Sequence, residues 1–145
     1  MFGQIILAFI GSFIMAFAGI GAAHQIALNG GASTHGAIAG GLGLGLGIFA
    51  AAKASGGHLN PAVTSAFVVL GKMGDGIIKN VTTGCVYITA QCLGMFTAAA
   101  LVYGIYQKGD ESFLKGEHTS AEMQKMVCLY ATCAGENMIN TMVYI

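Results

Sequence analysis

Apolar residues in this chain occur in long unbroken runs, with no strict alternation of apolar and polar positions. From Ile5 to Leu28 there are 24 residues without Asp, Glu, Lys or Arg, about 36 Å as a helix and enough to cross a hydrocarbon core with some tilt. No Lys or Arg precedes this run, and it is longer than the apolar region of a signal peptide, so a retained span is expected. Asn29 to His35 reads as a turn, and Gly36 to Ala52 gives a second run of 17 residues, the lower limit for a span. Within it Gly36 and Gly40, Gly41 and Gly45, and Gly43 and Gly47 stand four apart, the spacing that lets another helix backbone approach closely. After Lys53 and a glycine-bearing loop, Pro61 to Leu70 is apolar for ten residues, about 15 Å, too short to cross. Such a segment is a surface helix or a re-entrant half-helix. A third span covers Val81 to Tyr106, interrupted by Gln91 and Thr97 and ending near Tyr103 and Tyr106, residues that suit a membrane interface. The pattern predicts an all-α membrane protein with three transmembrane helices (5–28, 36–52, 81–106), a loop and half-helix over 54–71, and an extracellular loop over 107–141.

Composition sharpens this picture. The chain is 55% apolar and 8% charged, with 23 glycines, one proline, no tryptophan and no arginine among its 145 residues, against about 25% charged residues and 7% glycine in soluble domains. A zero net charge offers no field for nucleic acid. No nucleophile and base stand at recognisable spacing, so no enzymatic chemistry is expected. Cys85, Cys92, Cys128 and Cys133 form no C-x-x-C pair, and neither a metal site nor a cofactor is expected. Cys85 and Cys92 are read as small buried residues, and Cys128 and Cys133 as able to pair if their segment is extracellular. Residues 107 to 140 hold five of the six acidic residues, whereas Lys53, Lys72 and Lys79 fall in short segments on the opposite side, which makes that side cytoplasmic. Asn80-Val81-Thr82 matches a glycosylation sequon on the cytoplasmic side and is read as chance.

The segment that carries chemistry is Ser55-Gly56-Gly57-His58-Leu59-Asn60-Pro61-Ala62-Val63-Thr64. Asn60 suits an N-cap and Pro61 the first helical position. The loop exposes backbone carbonyls as acceptors, and the helix start adds the Asn60 amide as a donor beside the positive end of a helix dipole. A neutral solute bearing hydroxyls exchanges its water hydrogen bonds for these, whereas a cation meets the positive helix end.

These ten residues resemble the first signature of the aquaporin and aquaglyceroporin family. Leu7-Ala8-Phe9-Ile10-Gly11-Ser12-Phe13 is similar to its first-helix pattern. Gln91-Cys92-Leu93-Gly94-Met95-Phe96, followed by Ala98-Ala99-Ala100-Leu101-Val102-Tyr103, is similar to its third helix. The resemblance extends from residue 4 to about 106. It implies that carbonyls of Gly56, Gly57 and His58 form an acceptor ladder on one pore wall, that Asn60 donates to the solute at mid-pore, and that Pro61 and Ala62 begin the half-helix. The family's aromatic filter position falls twenty residues before that Asn, at Gly40, where the missing ring implies a wider constriction suited to glycerol as well as water. Ala8 stands where the family usually has a glutamate that supports the pore loop. Gln91, polar within a span, is a functional candidate or a structural hydrogen bond supporting the loop. The expected permeants are glycerol and water, the setting is a lipid bilayer such as the plasma membrane, and the assembly is a homo-oligomer, a tetramer by resemblance.

The family builds its pore from two inverted repeats, the second with its own Asn-Pro-Ala and a filter arginine. One Asn-Pro-Ala, three spans and no arginine match the first repeat, with the second absent. The alternative expectation is therefore a truncated, non-conducting half-channel that acts by associating with complete subunits. His24 and Gln25 are read as interfacial or helix-contact groups, and His58 as part of the pore wall.

Overall fold

The computed structural model describes residues 2–113 and 120–131, and among them all regular structure is helical. The helices are α1 (Phe2–Asn29), α2 (Ser33–Ser55), α3 (Pro61–Val69), α4 (Ile77–Phe113) and α5 (Ser120–Tyr130). Three of them, α1, α2 and most of α4, are long and apolar enough to cross a membrane. Apolar side chains such as Leu42, Leu46, Phe49 and Phe96 stand exposed on their outer surfaces, Phe49 at 89%. In water such surface is costly; against lipid it is the matching solvent. The chain is an integral membrane protein.

Helix α1 is the middle element and packs against both α2 and α4, while α3 packs against α4. It stops where Gly30 adopts a left-handed φ of 72°, and the Gly30 N–H donates to the Ile26 carbonyl at 3.0 Å. α2 then returns antiparallel. Its closeness to α1 depends on residues without side chains: a Cβ on Gly43 would strike Ala18, and one on Gly47 would strike the Gly11 carbonyl. With no hydrophobic force between helices in lipid, this close van der Waals fit holds them together. α4 runs parallel to α1, and Gly94 admits the Phe9 backbone in the same manner. A small core of Ala8, Tyr87 and Ala90, joined by Ile5, Phe9 and Met73, closes that interface.

The elements differ from the expected ones in their ends and in which residues face lipid: α2 starts at Ser33, inside the expected turn, and runs to Ser55. α4 begins four residues before Val81 and continues to Phe113, so the expected loop over 107–141 holds the end of α4 and the whole of α5 within the described residues. A helix that leaves the bilayer no longer needs apolar side chains; here it continues on a Gln107–Glu111 hydrogen bond at 3.5 Å and on the burial of Asp110. Cys85 and Cys92 are exposed, not buried. The inward face of α4 is taken by Asn80, Gly84, Tyr87, Gln91, Gly94 and Ala98, and positions 85 and 92 fall off that stripe toward lipid. Cys133, required for the expected Cys128–Cys133 pairing, lies outside the described residues.

Candidate functional site: a re-entrant loop and half-helix

Helix α2 ends on two successive left-handed glycines, Gly56 at φ 77° and Gly57 at φ 70°. An L side chain at either position would be strained, and together they reverse the chain. The Gly56 N–H closes the helix on the Ala52 carbonyl at 3.0 Å. The next residues turn back along α2, because Leu59, 2% exposed, reaches the level of Gly11, Gly47 and Ala51. Its side chain occupies the space that Cβ atoms on the two glycines would fill. The Ser12 hydroxyl donates to the Leu59 carbonyl at 3.2 Å. A loop that left α2 at Ser55 is thereby pinned two turns back inside the bundle.

At that depth α3 begins. Asn60 is its N-cap, with extended backbone, and its Oδ1 accepts from the Ala62 N–H at 2.8 Å. Pro61 occupies the first turn, where its missing N–H costs nothing. Asn60 is exposed, and among the described residues its Nδ2 donor has no partner. α3 then runs antiparallel to α4, with Thr64 opposite Gln91 and Val68 opposite Gly84.

Gln91 is fully buried. Its Nε2 donates to the Thr64 hydroxyl at 2.8 Å and to the His58 carbonyl, joining loop, half-helix and span in one contact. Ala8, at 0% exposure, packs against Tyr87 and Ala90, so an apolar contact fills the position where a carboxylate was expected by resemblance. The His58 ring stacks on Phe67 with centroids 4.1 Å apart and lies 6.3 Å from Tyr87, which keeps the loop against the side of α3.

Of the expected site residues, Gly56, Gly57, His58, Asn60, Pro61, Ala62 and Gln91 are brought together. The Gly57 carbonyl accepts from the Leu59 N–H at 3.0 Å, and the His58 carbonyl accepts from Gln91; each carbonyl has a second lone pair. Gly40 stands apart, on α2 seven residues before Gly47 and so about 10 Å further along the helix than Leu59. A Cβ built on it would meet nothing within 4 Å, so it faces open space. Beyond the loop, a cavity of about 650 Å³ lies between α1, α2 and α4, lined by Phe17, Ala18, Gly21, Gln25, Ala39 and Tyr106 among others. Leu59 and Ser12 were not identified from sequence. The signal available was the coincidence of an apolar residue inside a polar loop with glycines on two neighbouring helices.

At the far end of α1 a second polar group is buried. His24, at 0% exposure, pairs through Nε2 with Asp110 Oδ2 at 3.5 Å. It shares its Nδ1 with the Ile20 carbonyl at 2.9 Å, and it lies between the rings of Tyr106 and Tyr130. Gln25 beside it donates to the Tyr106 hydroxyl at 2.6 Å. The helix-contact role expected for both residues is the one the contacts describe.

The family model for Major intrinsic protein matches residues 1–144. Among characterised proteins, the chain is 44% identical over 98 residues to Aquaglyceroporin-2 of Rhizophagus irregularis, covering 66% of this chain and 29% of that one. It is 35% identical over 113 residues to Aquaporin-9 of Homo sapiens, covering 75% and 36%. To the Glycerol uptake facilitator protein of Escherichia coli (strain K12) it is 35% identical over 106 residues, covering 72% and 36%. The matched segment spans about a third of the length of these relatives. With a re-entrant half-helix inside three membrane-spanning helices and a family match along almost its whole length, the chain belongs to the major intrinsic protein family.

Proposed function

We propose that this chain lines a facilitative channel passing glycerol and other small neutral solutes, together with water, down their gradients. The observation that carries the proposal is the unpartnered Asn60 Nδ2 donor at the deep end of α3, beside a loop whose backbone carbonyls supply acceptors. A polyol entering a narrow pore loses water from each hydroxyl, and a donor and a row of acceptors at fixed positions restore those bonds without a deep trap. The half-helix contributes its positive end at the same place, which disfavours cations. No bond is made or broken, so the activity is transport and not catalysis. Gly40 supplies the width a three-carbon polyol needs, and the relatives named for glycerol uptake support that choice of permeant. Assembly as a homo-oligomer, tetrameric on the family's pattern, in the plasma membrane belongs to the same proposal.

The test is glycerol uptake into vesicles carrying the chain, beside Asn60→Asp. Aspartate keeps the N-cap acceptor and removes the donor while adding a charge, so the fold is retained and uptake is expected to fall at least tenfold. Uptake that the substitution leaves unchanged would overturn the role of Asn60. Uptake no greater than in empty vesicles, with the protein correctly inserted, would favour a non-conducting half-channel that acts by joining complete subunits.

A further inference from the structure

The half-helix is held at both ends by the same face of α4. Gln91 holds the deep end, as described. At the other end Asn80, 7% exposed, donates from Nδ2 to the Val68 carbonyl at 2.7 Å, and its Oδ1 accepts from the Met73 N–H at 2.8 Å. Val68 O is otherwise met by the turn that follows, through the Leu70 and Gly71 N–H groups, and Phe67 O by the Lys72 N–H. Asn80 is thus the side chain that ties the last turn of α3 to α4, through Val68, and also orders the connection between them, through Met73. Asn80, Gly84, Tyr87 and Gln91 recur at intervals of four, three and four, which places them on one helix face. Gly84 leaves the space that Val68 enters, and Tyr87 stands beside His58. The two amides are three turns apart, about 16 Å, close to the length of α3 with its N-cap.

We propose that Asn80 is a positioning residue for the half-helix: with Gln91 it sets the tilt of α3 on α4, and hence where Asn60 presents its donor. The consequence for transport rests on the channel proposed above; the mechanical claim does not. Asn80 also opens the Asn80-Val81-Thr82 sequon. Its Nδ2, the nitrogen a glycan would need, is buried and already bonded to Val68, so the asparagine has a structural use and no acceptor role.

Two readouts on the full chain test this. In backbone amide exchange, Asn80→Ala is expected to raise exchange over residues 61–73 at least tenfold while 5–28 keeps its protection. Asn80→Asp, which keeps the acceptor for Met73 and loses the donor to Val68, is expected to fall between. In vesicles, Asn80→Ala is expected to shift the ratio of glycerol to water permeability at least threefold, with Asn80→Asp again intermediate. That graded recovery separates positioning from a general loss of folded protein. Wild-type exchange over 61–73 in Asn80→Ala would overturn the inference, as would a glycan at Asn80 removable by endoglycosidase. Loosened exchange with an unchanged permeability ratio would overturn the link from Asn80 to Asn60. Should the unsubstituted chain pass neither solute, the channel proposal fails and the exchange experiment alone decides the placement of Asn80. If Asn80→Ala does not fold, Asn80→Asp carries both readouts.

Discussion

Single residues decide the chemistry of the re-entrant segment, and they differ in how openly the sequence displays them. Asn60 and Pro61 are legible because an N-cap and a first-turn proline have local, well-defined preferences. Gly40 is legible only through the family resemblance, and the open space around it makes a direct test practical. Gly40→Phe is expected to lower glycerol uptake at least fivefold while water permeability falls much less, as measured by parallel uptake and osmotic shrinkage of vesicles. Gln91 showed itself as a polar group in an apolar run, which in lipid must find a partner. Gln91→Leu would leave the Thr64 hydroxyl and the His58 carbonyl without this donor, a cost of about 1–3 kcal/mol for the unsatisfied groups, read as a lower melting temperature in detergent. Asn80 gave no such sign, because a polar residue near a helix end has water as the obvious partner, and its bonds to Val68 and Met73 exist only once α3 lies on α4.

Among the elements, the spans were readable because a bilayer demands a minimum apolar length. Their ends were not, because a helix continues past the interface at no cost, as α4 does to Phe113. Which apolar residues face protein and which face lipid was equally hidden, since both solvents are oily; the exposure of Cys85 and Cys92 is the result. The packing of α2 on α1 through Gly43 and Gly47 was foreshadowed by the glycine spacing, but the part of Gly11 on α1 and the insertion of Leu59 into the Gly11–Gly47 gap were not. That insertion makes a sharp prediction. Gly47→Val would fill the space of the Leu59 side chain and press on the Gly11 carbonyl, an overpacking expected to cost about 1–3 kcal/mol. The loop is expected to be displaced, seen as lost amide protection over 56–60 and a lower melting temperature. Gly45→Ala, on the same helix with nothing within 4 Å of its built Cβ, is the matched control and is expected to change neither.

At the scale of the whole molecule, α5 is fastened to the bundle by Tyr130 against His24, and His24 in turn faces Asp110 at 3.5 Å. His24→Leu would leave the buried Asp110 carboxyl without the imidazole that faces it, an expected loss of about 1–3 kcal/mol for an unsatisfied buried group, and amide exchange in 123–130 is expected to rise with it. The Tyr130 hydroxyl is pushed above its ordinary value of 10.0 by burial first, then by Asp110 and Tyr103. A folded value above the unfolded one means its contribution is complete below pH 10.0 and is lost as pH rises through the folded value. An ultraviolet phenolate titration is expected to lose one late-ionising tyrosine in Tyr130→Phe. The two-ended hold on α3 also imposes an order in time. Translation delivers the half-helix before Asn80 and Gln91 exist, so the newly made segment has the hold of Leu59 on Ser12, Gly11 and Gly47 but neither of its anchors on α4. Its seating is therefore expected to be completed only once α4 has been inserted. An insertion defect in α4 is then expected to leave α1 and α2 in place with the half-helix unseated, so that Asn60 loses its fixed position although the chain is inserted and of normal length.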